Sequence, residues 1–493
     1  MKKSIIAALL IFCLLFTGCE LTDNLAEDLL GTEPEEERVT TLTDLSLVYY
    51  PNPAVHPLLD TSLANQKVHT YVYQPAFTFD QQLEIMYGCA SEVKQNGSSI
   101  TITPDTSQKF SDGAALTAGD IAESFRFVLS HPESPYYRRL ENVENVTTSG
   151  GTVVITLKNK EPGALYCMDI PIVKTVGEQF YGCGDYKFGT HNDVPVLLAN
   201  GDAAPASSPI YLLTPDSAKA LGAMFNSGVL NVLPGDLIEQ GAFSVSREYK
   251  TATYLTNTMI YVGVNNQKIS SAMRRALSAM IPREDIVDNV LMGLGQSATL
   301  PFYPGWKQLP SVSTQAPKDR LIELFTAAGL HTQNGELHTE NEEKPCFKLL
   351  VCKDNKEHVA IAGKLHTAAL ALGMEITVDE VDKSTFNYRL EQGNYELYIA
   401  RYTLNQSLSC SELFIAESAP NYCGAPSSAL SNAYKKFIDG GKPADYIATL
   451  QQECPILPVA FLKTPLYHTY GISPTGSLSF SRPLGELSKW TVS

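Results

Sequence analysis

A chain of 493 residues in which 44% are apolar, 18% charged and 9% aromatic carries enough apolar side chain to fold. At roughly 150 residues per unit it amounts to about three domain-sized bodies, which excludes a single small module and a disordered polymer. The balance of 37 basic against 53 acidic residues, net −16, excludes a broad positive surface for phosphate backbones, so no nucleic-acid partner is expected.

Lys2 and Lys3 precede an uncharged run from Ser4 to Gly18, the layout of an export signal and too short to span a bilayer. The run ends Leu15-Phe16-Thr17-Gly18-Cys19, which resembles the lipobox of bacterial lipoprotein precursors, with Phe16 where Leu, Val or Ile is usual. A signal peptide over 1–18 and lipidation at Cys19 are therefore expected, with an acidic tether over 19–39.

The body begins with a strand pattern at Leu45, Leu47 and Tyr49, stopped by Pro51 and Pro53. Glu92 to Thr103 reads as a hairpin turning at Asn96-Gly97. Thr117 is placed to cap a helix over Ala118 to Leu129, with Asp120 as its acidic partner and Phe125 and Leu129 on the buried stripe. Val153, Ile155 and Leu157 form one face of a further strand. Ser271 to Met280 and Lys318 to Ala328 follow helical spacing, the second ended by Gly329. From Phe347 to Ile399, strand and helix patterns alternate, as βαβ units require.

The catalytic inventory is empty. The chain has no GxSxG nucleophile elbow, HExxH zinc site or GxxxxGK[ST] phosphate loop. Its nine histidines do not cluster; His366 reads as a helix packing residue and His131 as a helix exit. Asp379, Glu380 and Asp382 read as solvated surface. Without a CxxC pair, zinc and redox centres have no support. Eight cysteines remain in the mature chain; Cys167/Cys183 and Cys410/Cys423 are the nearest-neighbour pairings, while Cys346 and Cys352 on one strand are too far apart to bridge. Neither an enzyme, a metal site nor a cofactor is expected.

Several strings, in order, resemble the extracellular solute-binding proteins of oligopeptide, dipeptide and nickel ABC importers, family 5. Phe110-Ser111-Asp112-Gly113-Ala114-Ala115-Leu116-Thr117-Ala118-Gly119-Asp120-Ile121 is similar to the family's F-x-D-G-x-P-L-T-A-x-D-V, with Ala115 for proline. Gly182-Cys183-Gly184-Asp185-Tyr186-Lys187 is similar to G-T-G-P-Y-K, and Met273-Arg274-Arg275-Ala276 through Ile281-Pro282-Arg283 to V-R-x-A-x-x-x-A-I-D-R. Phe225 to Val232, Tyr261 to Asn265, Ala327-Ala328-Gly329 and Glu453 to Pro458 complete the series. The resemblance implies an α/β fold of the periplasmic-binding-protein-like class II, two lobes joined by a hinge with an additional subdomain in the first lobe. Mapped here, the first lobe is 40–76, 166–256 and 459–493, the subdomain 77–165 and the second lobe 257–458.

The function so implied is that of an extracytoplasmic substrate-binding lipoprotein, lipid-anchored to the cell membrane. It captures a peptide or other small solute by hinge closure and delivers it to ABC permease subunits as a monomer. A ligand sensor or chaperone-like binding lipoprotein is the alternative, and an exported enzyme a remoter one. Peptide-binding relatives use an acidic residue near a G-W-x-x-D-Y stretch, whereas this chain has Ile399-Ala400-Arg401-Tyr402-Thr403-Leu404-Asn405-Gln406. The candidate ligand contacts are Asn265 near the hinge, Arg401 for an anionic group, Tyr402 as an aromatic wall and Asn405 as a donor or acceptor. The alternatives are an ion pair for Arg401, packing for Tyr402 and backbone capping for both asparagines.

Overall fold

The computed structural model describes residues 44–201, 209–238, 244–311, 316–405, 409–415 and 421–492. The expected signal peptide, Cys19 and the tether lie outside these residues. In chain order the strands are β1 Ser46–Val48, β2 Phe77–Phe79, β3 Ile85–Tyr87, β4 Ala90–Asn96, β5 Ser99–Pro104, β6 Val143–Ser149, β7 Thr152–Leu157, β8 Lys174–Val176, β9 Gln179–Tyr181, β10 Tyr186–His191, β11 Val194–Ala199 and β12 Ile210–Leu213. They continue with β13 Val232–Pro234, β14 Lys250–Val264, β15 Gly295–Ser297, β16 His331–Gln333, β17 Glu336–His338, β18 Cys346–Cys352, β19 Glu375–Val381, β20 Leu397–Thr403, β21 Ile456–His468, β22 Ile472–Ser473 and β23 Thr491–Val492. The helices are α1 Leu63–Val72, α2 Ala118–Ser130, α3 Ala218–Ser227, α4 Ser271–Met280, α5 Arg283–Asn289, α6 Lys318–Ala327, α7 Lys356–Leu370, α8 Lys383–Glu391, α9 Ser428–Ile438 and α10 Pro443–Glu453.

Three sheets organise the chain. The first has the order β1-β12-β11-β10, with β1 and β12 parallel. The second is the antiparallel sheet β4-β5-β7-β6. Its strand β7 alternates as the sequence predicts, burying Val153, Ile155 and Leu157, and α2 covers that face with Ile121, Phe125 and Val128. The expected capping box forms: Thr117 Oγ1 accepts the Asp120 N–H (3.4 Å) and Asp120 Oδ2 accepts the Thr117 N–H (2.9 Å).

The third sheet runs β13-β21-β14-β20-β18-β19, with β15 joined to β21. Its β18–α7–β19 and β19–α8–β20 segments supply the expected parallel pairings. From Met259 to Val264 strand β14 is buried on both faces, so period-two alternation sends its residues into different cores. Ile260, Val262 and Val264 join Leu397 and Ile399 against α4 and α7, whereas Met259 and Tyr261 join Tyr398 in the core on the opposite face. Two motif arginines are clamps for backbone carbonyls in this region. Arg283, 1% exposed, donates Nε–H to the carbonyls of Ala298 (2.9 Å) and Pro458 (3.0 Å) and Nη1–H to that of Ser278 (2.7 Å). Arg274 likewise donates to the carbonyls of Ile269 (2.7 Å) and Cys454 (3.0 Å).

The long partners β14 and β21 are in register from Lys250↔His468 to Leu255↔Lys463, and pairing resumes at Met259↔Phe461. Between these points Thr256, Asn257 and Thr258 face one residue of β21, a bulge. Side chains replace the lost ladder. Thr256 Oγ1 donates to the Leu462 carbonyl (2.9 Å), and Asn257 Nδ2 donates to the Leu404 carbonyl (2.8 Å).

Neither expected disulfide is present, and all eight cysteines among the described residues are free thiols. Cys183 lies beside Cys89 rather than Cys167, whose neighbours are Glu161 and Arg139. Cys410 donates to the Pro301 carbonyl (3.4 Å), whereas Cys423 Sγ meets Tyr398 Oη (3.7 Å), so the two thiols are held by different partners. Nearness in sequence fixed neither pair: all four cysteines enter one core, but each thiol is held by its own local partners.

Candidate functional site

In open α/β sheets a crevice forms outside the carboxyl ends of the parallel strands, where the backbone must turn away from its neighbours. Here β1 leaves its sheet through Tyr49-Tyr50-Pro51-Asn52-Pro53. The Tyr49 N–H donates to the Leu213 carbonyl (2.9 Å) and Thr214 Oγ1 donates to the Tyr49 carbonyl (2.8 Å), which ties the exit of β1 to that of β12. One residue further, Asn65 of α1 holds the loop. Its Oδ1 accepts the Tyr50 N–H and its Nδ2 donates to the Tyr50 carbonyl, both at 2.8 Å, while Nδ2 also donates to Asp60 Oδ2 at 2.7 Å. Asn65 is 1% exposed, so these bonds have little competition from water.

The loop walls a cavity of about 640 Å³, within the size range of small-ligand sites. Tyr49, His69, Tyr73, Phe180, Tyr181 and Phe188 line it with aromatic surface, and Asn52, Asp60 and Glu178 supply polar groups. No lysine or arginine is among the lining residues. The rings of Tyr49 and Phe188 lie 5.0 Å apart, tilted at 36°, and those of His69 and Tyr73 meet edge to face at 5.3 Å. Aromatic pairs of this kind give a firm wall at small entropic cost.

Burial governs the protonation of the wall. His69 is held down to about 4 by desolvation, against the opposing pull of Asp60 and the Pro57 carbonyl, so the ring is neutral at pH 7. It shares a hydrogen bond of 3.3 Å with Tyr49 Oη. Tyr49 itself is pushed up, first by burial and then by the Asp60 charge. The fixed charges around the cavity are therefore carboxylates, an environment that favours an ammonium or a neutral polar group over an anion.

None of the four sequence-derived contacts lines this cavity. Asn265 is 8% exposed and closes a turn: Nδ2 donates to the carbonyls of Gly393 (3.3 Å) and Tyr395 (3.4 Å), and Oδ1 accepts the Gln267 N–H (3.2 Å). Arg401 and Tyr402 are consecutive in β20 and so project from opposite faces. Arg401 donates to Glu357 at the start of α7 (2.5 Å). Tyr402 Oη donates to Glu412 (2.9 Å), whose carboxylate lies 3.8 Å from Arg138 in the turn between α2 and β6. Asn405 follows the carboxyl end of β20, and its Oδ1 accepts the Ser409 N–H (3.1 Å). The other groups weighed from the sequence also have structural employment. His366 Nδ1 is bonded to the Ile376 carbonyl (2.8 Å), and Asp382 caps α8 through the Thr385 N–H (3.0 Å).

The sequence reading missed these wall residues because Tyr49, His69 and Tyr73 are separated from Phe180 and Phe188 by more than a hundred residues. The available signal was the pair Pro51 and Pro53 directly after a buried strand. A proline-stiffened exit from a parallel strand is where a crevice wall is expected.

A second cavity, about 540 Å³, runs beside Leu255, Gln296 and Trp306, and a third, about 340 Å³, lies among α4, α6 and α10 at Arg275, Arg320 and Gln451. Neither sits at parallel strand ends. Among the described residues no helix is long and apolar enough to cross a membrane, and no group of three or more His, Cys, Asp or Glu residues is arranged to hold a metal ion.

A family model for bacterial extracellular solute-binding proteins, family 5 (middle), matches residues 55–411. The oligopeptide-binding protein AppA of Bacillus subtilis (strain 168) is 23% identical over 378 residues, covering 69% of this chain and 69% of AppA. Among solved structures, AppA from Bacillus subtilis in complex with a nonapeptide aligns with a TM-score of 0.53 at 19% identity, covering 91% of this chain and 99% of AppA. The periplasmic murein tripeptide-binding protein MppA, in its unliganded open form, aligns at 0.69 and 17% identity over 91% and 97%. A nickel ABC transporter protein from Bacillus halodurans aligns at 0.73 and 15% identity over 91% and 99%. These likenesses show the fold: α/β, of the periplasmic-binding class II type.

Proposed function

The chain belongs to the bacterial extracellular solute-binding proteins, family 5, and from that premise we propose that its ligand is a peptide or peptide-like solute carrying a free amine. It is the substrate-binding component of an ABC importer, and binding rather than chemistry is its task. The observation that carries the ligand class is the 640 Å³ cavity at the ends of β1 and β12, walled by aromatic rings and bordered by Asp60 and Glu178 with no lysine or arginine. The rings supply apolar contact for side chains, and the carboxylates attract an ammonium. AppA and MppA bind peptides, and that ligand class suits this wall.

The hinge, in this proposal, is the bulge at Thr256–Thr258 with the facing stretch of β21, close to the boundaries 256/257 and 458/459 drawn from the sequence. The extended ladder stops there, so rotation costs few backbone bonds. In this proposal Tyr402 and Asn405, at the carboxyl end of β20, meet the ligand from the second lobe when the hinge closes. Asn265 and Arg401 act from behind these residues by fixing a turn and the start of α7. Lipidation at Cys19 completes the proposal by keeping the body at the membrane where the permease sits.

Thermal-shift titration of the purified chain with di- to decapeptides, their N-acetylated forms, amino acids, sugars and metal chelates tests this. A peptide that raises the melting temperature saturably, and loses that effect on N-acetylation, is the expected result. Stabilisation by an acetylated peptide as strong as by the free one removes the amine assignment, and stabilisation only by a non-peptide removes the peptide class.

A further inference from the structure

Cys89 stands directly before β4, and Cys183 lies in the turn between β9 and β10. Both are buried, 0% and 3% exposed. Their sulfurs converge on one atom: the Gln74 carbonyl oxygen lies 3.6 Å from Cys89 Sγ and 4.0 Å from Cys183 Sγ, which makes the two thiols neighbours. The backbone on each side is anchored to the end of α1 and the residues after it. Cys89 N–H donates to the Pro75 carbonyl (3.2 Å) and Gly184 N–H to the Val72 carbonyl (3.1 Å). The turn approaches so closely that a Cβ at Gly182 would lie 1.8 Å from the Val72 oxygen and one at Gly184 2.1 Å from the Tyr71 oxygen. Only glycine fits at either position, so the backbone that presents Cys183 is fixed.

We propose that Cys89 and Cys183 form a disulfide in the exported protein, joining the first strand of the antiparallel sheet to the turn that opens the β10–β11 hairpin. Two neighbouring side chains presented by anchored backbone and converging on one carbonyl oxygen meet the first requirement of a disulfide, and an extracytoplasmic compartment permits it. The oxidant is an exported thiol oxidant carrying a disulfide. The thiolate of one cysteine attacks that disulfide, forms a mixed disulfide and releases one oxidant thiolate. The second cysteine thiolate then attacks the protein sulfur of the mixed disulfide and releases the other oxidant thiolate. The two protein thiols lose two protons and two electrons, and the oxidant's disulfide takes up both electrons. Because the neighbouring thiol and burial push Cys89 well above the ordinary thiol range, the folded reduced protein is a poor nucleophile, and the exchange belongs to folding, before the turn closes on α1. The bond would bind the antiparallel sheet and the first sheet into one body.

The test is to refold the full chain in a mixture of oxidised and reduced glutathione, block free thiols with iodoacetamide and map peptides without reduction. One linked pair, Cys89 with Cys183, is expected, and Cys183→Ser should return Cys89 as an alkylated thiol. The melting temperature should fall by about 3 °C or more on reduction, a difference lost in the Cys89→Ser/Cys183→Ser double variant. Recovery of both cysteines as alkylated thiols, or of either bonded to another cysteine, would overturn the proposal.

Discussion

Asn65→Ala removes the side chain that fastens the exit of β1 to α1. Three hydrogen bonds disappear: two at 2.8 Å to the Tyr50 backbone and one at 2.7 Å to Asp60. The backbone bonds contribute about 1 kcal/mol each, and the charge-assisted one about twice that. Tyr50 is 38% exposed, so water recovers part of its share, and a net loss of about 3 kcal/mol is expected. Asn65→Asp is the sharper probe. It keeps the acceptor for Tyr50 N–H, removes the donors and sets a second carboxylate against Asp60. At pH 7 it should be less stable than Asn65→Ala by about 2 kcal/mol. The sign follows from linkage: the carboxylate pair binds a proton more tightly folded than unfolded, so the excess loss is present at neutral pH and shrinks as pH falls into the carboxylate range. Urea unfolding followed by circular dichroism, each variant compared with wild type at pH 7 and pH 4.5, measures both differences. A loss under 1 kcal/mol for Asn65→Ala, or an Asn65→Asp no worse than Asn65→Ala at pH 7, refutes the clamp.

The remaining predictions concern the walls and the core. Phe188→Ala should weaken a stabilising peptide about tenfold in calorimetry while the unfolding midpoint moves less than for Asn65→Ala, because Phe188 is half-buried in the cavity wall. Arg283→Met should cost about 3 kcal/mol in urea unfolding, since the carbonyls of Ala298, Pro458 and Ser278 lose donors in a site 1% exposed. The exposed Arg320→Met, which only breaks a pair with Glu323, should stay within about 0.5 kcal/mol. His69 and His358 are both held down to about 4 from 6.5, chiefly by burial. Their contribution is fully present above pH 6.5 and is lost as pH falls toward about 4, where the unfolded chain has bound protons that the folded chain has not, on the order of 3 kcal/mol each at the limit. Unfolding midpoints that stay flat from pH 7 to pH 4.5 would contradict this, and His358→Gln should reduce the slope. Thr117→Ala should cost about 1 kcal/mol by opening the capping box of α2.

Local features were legible in the sequence because their physics is local. The capping box at Thr117 and Asp120, the turn at Asn96-Gly97 and the alternation of Val153, Ile155 and Leu157 depend on neighbours a few residues away. The βαβ order from Cys346 to Thr403 followed from period and connection length. Arg283 stood in a string that carried the family resemblance, but the string said nothing of its three carbonyl partners, which come from residues 278, 298 and 458.

Tertiary structure decided the rest. Arg401 and Tyr402, adjacent in sequence, belong to opposite faces of β20, and only the packing of α7 shows which face meets Glu357. Cys183 meets Cys89 instead of the nearer Cys167 because the glycine turn docks on the end of α1. The cavity wall collects Tyr49, His69, Phe180 and Phe188 from the exit of β1, a helix, a hairpin and a sheet edge. No sequence period links such residues, because what brings them together is the parallel pairing of β1 with β12 and the turn the chain must make where that pairing ends.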